Sequence, residues 1–414
     1  MRGSGHAVCR HRRRSSRNIE VAHRSFVLAL YTSPHRRNPH RRVYRLPGTN
    51  APSYPSGQFA NREEEHITDG SLTPSLHFPV ATPPGAGETL RIAPGVEWLR
   101  MPLPFALDHI NLWLLKDGPG WTIVDTGYAM AETRARWERV FADRLGGLPV
   151  TRIIATHHHP DHIGLAGWLA ERWHVPLWAT EKEWLFARLM TRSGDDSGVL
   201  RRDFASRAGL GEAACELFAE HHQGYRRGVS SVPSSFQRLA DGLVVEIGGR
   251  EWRVIVGEGH SPELACLYCA ETGVLISGDQ VLPKISPNVS VQAHEPESNP
   301  LQRFLCSLDR LRAAVPPETF VLPSHNLPFL GLHERIDDLS AHHQARCGEI
   351  IAACRDPHSA AELVPVLFRR PLDRHQTAFA LGEALAQLQY LMGRGELARE
   401  LGGDGVNRFI RSDR

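Results

Sequence analysis

Along residues 1–88 apolar and polar positions follow no sustained period, and Arg, Pro, Ser and His recur throughout. Such a stretch offers no face to bury and is expected to be mostly disordered. It closes in the run Ala81-Thr82-Pro83-Pro84-Gly85-Ala86-Gly87-Glu88, which reads as a linker. From Ile92 the pattern is that of short strands, at 95–100, 110–116 and 121–124, with the turn Asp117-Gly118-Pro119-Gly120 before the third. Apolar residues spaced by three and four predict helices over 132–145, 163–173 and 181–190. Between them, the runs 150–156 and 176–179 read as strands.

Residues 192–235 break this pattern: they are polar, contain Gly and predict helix only in pieces, as at 213–222. An insertion of this kind is either a loose surface excursion or a lid over a site on the body. Strands resume at 243–247 and 251–256, joined as a hairpin by Gly248-Gly249. Further strands follow at 265–270, 274–276 and 319–322, with a helix over 301–314. After Leu332 the patterns are helical, at 333–354, 359–367 and 376–394, with a short tail beyond Gly393 and Gly395. The chain therefore predicts a tail (1–88), an α/β body (89–332) that carries the insertion, and a helical extension (333–414).

Composition narrows the class. At 414 residues the chain has room for two or more domains, and its 41% hydrophobic share is that of a soluble globular protein. No apolar run approaches the roughly 20 residues needed to span a bilayer, so no membrane partner is expected. Seven cysteines, an odd number in a long chain, argue against a disulfide framework and for a reducing, cytoplasmic setting. Cys266-x-x-Cys269 resembles a redox or zinc pair, but in a strand a three-residue offset puts the thiols on opposite faces. Both are read as core residues.

The net charge of +2 hides an asymmetry: residues 1–45 hold twelve Arg against one acid, Glu20, which leaves the rest of the chain near −9. A basic tail on an acidic body is not the footprint of a nucleic-acid-binding fold. The tail itself reads as a true tail, an organelle presequence or translation from an over-extended start. The last is preferred because it requires no function.

The chemistry is concentrated in Thr156-His157-His158-His159-Pro160-Asp161-His162. His-x-His-x-Asp-His packs four metal-ligand side chains into six residues. As a helix its members would point around the whole circumference, so it is expected to be a loop that gathers ligands around more than one cation. Neutral imidazole with carboxylate suits zinc and its first-row neighbours. A strand precedes the loop and a helix follows it, which is where α/β folds place chemistry.

With this motif the chain resembles the metallo-β-lactamase-fold hydrolase superfamily. Val124-Asp125-Thr126-Gly127, Gly259-His260-Ser261-Pro262, Ser277-Gly278-Asp279 and Leu322-Pro323-Ser324-His325 each follow a strand, in the family's order. The resemblance covers roughly residues 90–335 and implies an αββα sandwich. Three helices with a short tail after it resemble the winged-helix-like extension of a branch that includes secondary-metabolite thioesterases and an endoribonuclease, with glyoxalase-II-like enzymes nearby. Here the extension reads as a packing or dimerisation appendage, so a homodimer is an expectation. DNA binding is not, because the segment is balanced in charge.

The resemblance implies two zinc ions (Zn2+) per chain. His157, His159 and His260 would take one, Asp161, His162 and His325 the other, and Asp279 would bridge both. Hydroxide held between two dications would be the nucleophile. Asp161 and Asp125 are the acids expected to serve catalysis, Asp161 on the second ion and Asp125 behind a ligand histidine. His158 is expected to point away from the metals, and His109 reads as a satisfied strand-end histidine. Flavodiiron relatives carry glutamate where this chain has His159, which disfavours oxygen chemistry at iron. A thiolate leaves with little protonation help, whereas an RNA phosphodiester expels a poorer leaving group and favours a basic face. The expectation is a small acyl ester or thioester substrate (acyl-CoA, acyl-carrier or acyl-glutathione type) and no nucleic acid. The alternatives are a metal-dependent ribonuclease and a lactonase or β-lactamase-like hydrolase.

Overall fold

The structure is a computed structural model that describes residues 76–192, 196–220 and 223–412. Every described element lies within one compact unit, Asp69–Arg414. Most of the expected tail, residues 1–75, lies outside the described residues.

The first half of the body builds β1 (Leu90–Ala93), β2 (Val96–Pro102), β3 (His109–Asp117), β4 (Gly120–Val124), α1 (Ala131–Asp143) and β5 (Val150–Ile154). It continues through α2 (Pro160–Ile163), α3 (Ala166–Trp173), β6 (Leu177–Thr180) and α4 (Glu181–Thr191). The insertion supplies α5 (Asp196–Arg207), α6 (Glu212–Glu220) and α7 (Gln223–Gly228), and β7 (Gln237–Leu239) returns to the sheet. The second half is β8 (Val244–Ile247), β9 (Arg250–Gly257), β10 (Leu264–Cys269), β11 (Val274–Gly278), α8 (Pro300–Ala314) and β12 (Phe320–Pro323). The extension holds α9 (Leu332–Ala353), α10 (Ala360–Leu367), α11 (Arg374–Gly393), β13 (Leu397–Leu401) and β14 (Asn407–Arg411).

Strands β1 to β7 form one sheet in sequence order, and β12-β11-β10-β9-β8 form the second. The period-2 alternation of each strand decides what it covers. In β3, Ile110, Leu112 and Leu114 join the layer under α1, α3 and α4, while Trp113 and Leu115 join the layer between the sheets. In β10, Cys266 faces the α8–α11 side and Cys269 the space between sheets; both are fully buried. The two thiols therefore lie on opposite faces, as a three-residue offset requires. The result is the expected αββα sandwich.

Two parallel pairs matter most for the site. β4 runs beside β5, and β11 beside β12, so their C-terminal ends emerge at one edge. Backbone bonds across that edge, such as Asn111 N to Ser324 O (2.6 Å) and Ala265 N to Thr156 O (2.9 Å), tie the emerging loops to both sheets.

Four readings change. The ligand run is not wholly loop: Pro160–Ile163 form one helical turn with Pro at its start, a position that needs no N–H donor. The run Leu397–Arg411 was read as a short tail; it folds as an antiparallel hairpin turned by Gly402-Gly403-Asp404-Gly405. Residues 76–88 were assigned to the tail; Leu76, Phe78 and Val80 pack on the core clusters, and His77 bridges to Leu330. Nor are α5 and α6 a loose excursion: Phe204, Ala205, Ala208, Cys215 and Phe218 share a core with the extension, and Ala361 N donates to Ala208 O (2.9 Å).

Truncation tests the corrected boundary. A chain starting at residue 89 should be less stable than one starting at residue 69 by roughly 2–3 kcal/mol, the burial of two or three partly covered apolar side chains. Equal urea midpoints for the two would show that residues 76–88 do not hold the body.

Candidate metal centre

The site is assembled from five strand ends. Asp125 follows β4 with a left-handed backbone (φ 61), which is rare for a residue with a side chain. That turn aims its carboxylate back under the ligand run. Oδ1 accepts from Thr156 N (2.7 Å), and Oδ2 accepts from Thr156 Oγ1 (2.9 Å) and lies 2.8 Å from His162 Nδ1. Asp125 therefore sits behind His162.

All seven expected ligands are brought together, in two groups whose ligand atoms lie within 4.8 Å of one another: His157, His159, His260 and Asp279, and Asp161, His162 and His325. In the first, His157 Nε2 is 2.9 Å from His159 Nδ1 and 3.3 Å from His260 Nε2. In the second, Asp161 Oδ2 is 3.5 Å from His162 Nε2 and 3.4 Å from His325 Nε2. Asp279 spans the groups: Oδ2 lies 3.4 Å from His260 Nε2 and 3.5 Å from His162 Nε2, and Oδ1 lies 3.5 Å from His325 Nε2.

Three rings are fixed through the nitrogen that faces away from this centre. His162 uses Asp125, His260 Nδ1 lies 2.8 Å from the Asn288 carbonyl, and His325 Nδ1 lies 2.9 Å from the His109 carbonyl. Each bond holds a proton on Nδ1 and directs Nε2 inward. The residues fit cations for a further reason. His162 Nε2 and Asp279 Oδ1 are buried without a hydrogen-bond partner, a costly state for polar atoms unless something else satisfies them.

Charge follows the same division. Burial, then the neighbouring imidazoles, hold His157 and His159 well below the usual histidine range. Burial opposes charge on His162 as well, but Asp161, Asp279 and Asp125 together outweigh it and raise its pKa well above that range. His325 is pushed up to about 10 against its own burial, by Asp279 and Asp161. Asp279 is buried too, yet His162 and His325 hold its carboxyl well below the carboxylate range.

His158 points away from the centre, with Nδ1 2.5 Å from Glu183 Oε2. His109 is satisfied, lying 2.6 Å from Asp108 Oδ1 and accepting from Asn326 N (3.2 Å). Sequence reasoning missed Glu183, a fully buried carboxylate that accepts four hydrogen bonds. Its one signal, Thr180-x-x-Glu183 at the start of α4, imitates a capping box. Neither side chain caps that helix. Thr180 Oγ1 donates to the Glu263 carbonyl (2.7 Å), and the Glu263 carboxylate accepts from Lys182 N (3.2 Å) in its place.

The metallo-beta-lactamase superfamily model matches residues 106–325, and the model described as metallo-beta-lactamase-like, C-terminal domain, matches residues 347–412. A crystal structure of a beta-lactamase domain protein from Burkholderia ambifaria superposes with a TM-score of 0.76 at 50% identity. It covers 81% of this chain and 98% of that one. The probable metallo-hydrolase YqjP of Bacillus subtilis is 24% identical over 58% of this chain and 74% of its own length. A hydroxyacylglutathione hydrolase of Dechloromonas aromatica is 27% identical over 57% of this chain and 83% of its own.

The raised histidines give a prediction with a definite sign. Because both folded-state pKa values lie above the unfolded value, the imidazolium–carboxylate pairs stabilise the metal-free protein fully below pH ~6.5 and are lost only as pH rises through about 10 for His325. A cation that takes either Nε2 must displace a proton, so metal affinity should climb between pH ~6.5 and ~8.5. Calorimetry in buffers of different ionisation enthalpy should detect proton release. Binding that is independent of pH, with no protons released, would contradict these assignments.

Proposed function

The chain belongs to the metallo-beta-lactamase superfamily and is a metallo-hydrolase, and from that premise we propose that it hydrolyses a small acyl ester or thioester with two zinc ions. His157, His159 and His260 would hold one ion, Asp161, His162 and His325 the other, with Asp279 placed beside both groups. Two bound ions would supply water acidified to near neutral pH and positive charge opposite the carbonyl oxygen. The protein's part is to fix geometry: Asp125 and the carbonyls of Asn288 and His109 keep three imidazoles in one tautomer and orientation. The free cysteines among the described residues fit a reducing, cytoplasmic compartment.

The observation that carries the acyl reading is an aromatic wall beside the ligand run. His158 lies 5.6 Å from the Phe186 ring and 6.2 Å from the Tyr225 ring, and Phe186 lies 4.9 Å from His294. Helix α7 closes onto this wall, since Tyr225 Oη donates to the His158 carbonyl (2.6 Å) and Gly228 leaves room for Tyr128 and Pro160. Helix α7 of the insertion thus covers one side of the ligand run, with Tyr225 adding its ring to Phe186 of α4. Those rings suit an acyl chain, while Arg226 and Arg227 in the same helix add positive charge beside them. The similarity to a hydroxyacylglutathione hydrolase supports a thioester within the class.

The test is a panel of acyl-CoA, acyl-glutathione, lactone and RNA substrates offered to the zinc-loaded chain. Acyl turnover with shallow salt dependence is expected. Strongly salt-sensitive RNA cleavage without esterase or thioesterase activity would replace this reading with a ribonuclease, because phosphate contacts release counterions. Metal analysis should give two ions per chain, and Asp161→Ala or Asp279→Ala should lower turnover by orders of magnitude while the fold survives. Phe186→Ala should raise KM about 10-fold or more with kcat little changed, the loss of one buried ring against substrate. An unaltered KM would remove the aromatic wall from the substrate path.

A further inference from the structure

We propose that Glu183 is a positioning residue for the three-imidazole group: its carboxylate clamps the loop bearing His157 and His159 to the loop bearing His260. The inference rests on the assignment of those three residues to one ion made above. The two oxygens divide the work by loop. Oε2 accepts from His158 N (2.9 Å) and meets His158 Nδ1 (2.5 Å); Oε1 accepts from Ser261 Oγ (2.7 Å) and from Glu263 N (2.6 Å). His158 lies between His157 and His159, Ser261 follows His260 and Glu263 is three residues beyond it, so each contact is within three residues of a ligand. The backbone bond from Ala265 N to Thr156 O (2.9 Å) joins the bases of these two stretches, and the carboxylate links them again nearer the ligands.

The helix that carries Glu183 is fixed to the same loop by an exchange of bonds. Glu263 accepts from Lys182 N through its side chain and from Thr180 through its carbonyl, while its own N–H is satisfied by Glu183. The start of α4 and residues 261–263 therefore satisfy one another. Burial opposes the charge on Glu183, but His158 and its other donors outweigh it and keep the carboxyl below the usual range. A buried, ionised carboxylate with every contact on two ligand-bearing loops orients ligands in the way that outer carboxylates do elsewhere. Here it acts on the backbone rather than on a ligand ring.

Glutamine is the informative substitution. It keeps the shape but replaces one acceptor oxygen with a donor, so either His158 N–H or Glu263 N–H loses its partner. The experiment uses zinc titrations of the full chain against a chromophoric chelator. In an Asp161→Ala background, which keeps the three-imidazole position, adding Glu183→Gln should weaken zinc affinity about 10- to 100-fold. In a His159→Ala background, which keeps the other position, it should change affinity by no more than about twofold. No weakening in the first background, or equal weakening in both, overturns the proposal. If Glu183→Gln does not fold by circular dichroism, Ser261→Ala takes its place. That variant removes one donor from Oε1 and should cost a few-fold in the Asp161→Ala background alone; no loss there overturns the proposal as well. If Asp161→Ala by itself still binds two ions, the ligand assignment has failed rather than the role of Glu183.

Discussion

The centre places five histidines and two aspartates, four of them buried and three half-buried, with their reactive atoms a few ångströms apart. Such a cluster opposes folding: imidazoles crowd one another, carboxylates lose water, and lone pairs face lone pairs. The chain offsets this with bonds directed outward from the cluster. His162, His260 and His325 each hand the far ring nitrogen to a fixed acceptor, and the His158 backbone hands its N–H to Glu183. Most of the unusual features nearby follow from this need. Asp125 adopts a left-handed backbone that presents its carboxylate to His162, and Asn326 adopts one next to His325 that presents its carbonyl to Asn111 and Arg100. Asn111 is fully buried because it accepts from Trp98 and Arg100 and donates to the carbonyls of Pro323 and Asn326, pinning the chain on both sides of His325.

Legibility in the sequence followed the range of each interaction. The strands were legible because alternation is local: β3 and β10 show their two faces residue by residue. The ligands were legible because a metal-binding side chain next to a strand end is a compact signal, repeated five times in order. What could not be read was whatever depends on a distant partner. Glu183 sits at a helix start, where an acid needs no explanation beyond the helix dipole. Only the approach of residues 261–263, some eighty positions away, gives it another role. The hairpin Leu397–Arg411 was hidden differently, since β13 is mostly exposed, β14 mostly half-buried, and the two carry little apolar pattern; its turn Gly402-Gly403-Asp404-Gly405 was the available clue. Residues 76–88 were misassigned because the alternation of Leu76, Phe78 and Val80 with His77 and Pro79 is only three positions long and runs into Pro and Gly, although all three pack on the core.

The helical extension was expected to be an appendage, and its contacts argue that it is part of the scaffold. Arg335 on α9 is buried and donates to the carbonyls of Leu282 and Ile285, in the loop that runs on from Asp279. Gly382 on α11 accepts from Val291 N (3.0 Å), three residues beyond the Asn288 carbonyl that orients His260. The approach is close enough that a Cβ at Gly382 would lie 2.8 Å from Ser290, so glycine is required there. The same helices share a core with α5 and α6 of the insertion, whose last helix, α7, reaches back to His158 through Tyr225. One continuous set of contacts thus runs from the extension to the loops that orient ligands on both sides of the centre. The sandwich brings the ligands to one edge; the insertion and the extension fix the loops between them. An arrangement of this kind constrains evolution of the site, because changes in α9 or α11 that never approach the metal centre still move the carbonyls and loops on which its geometry rests.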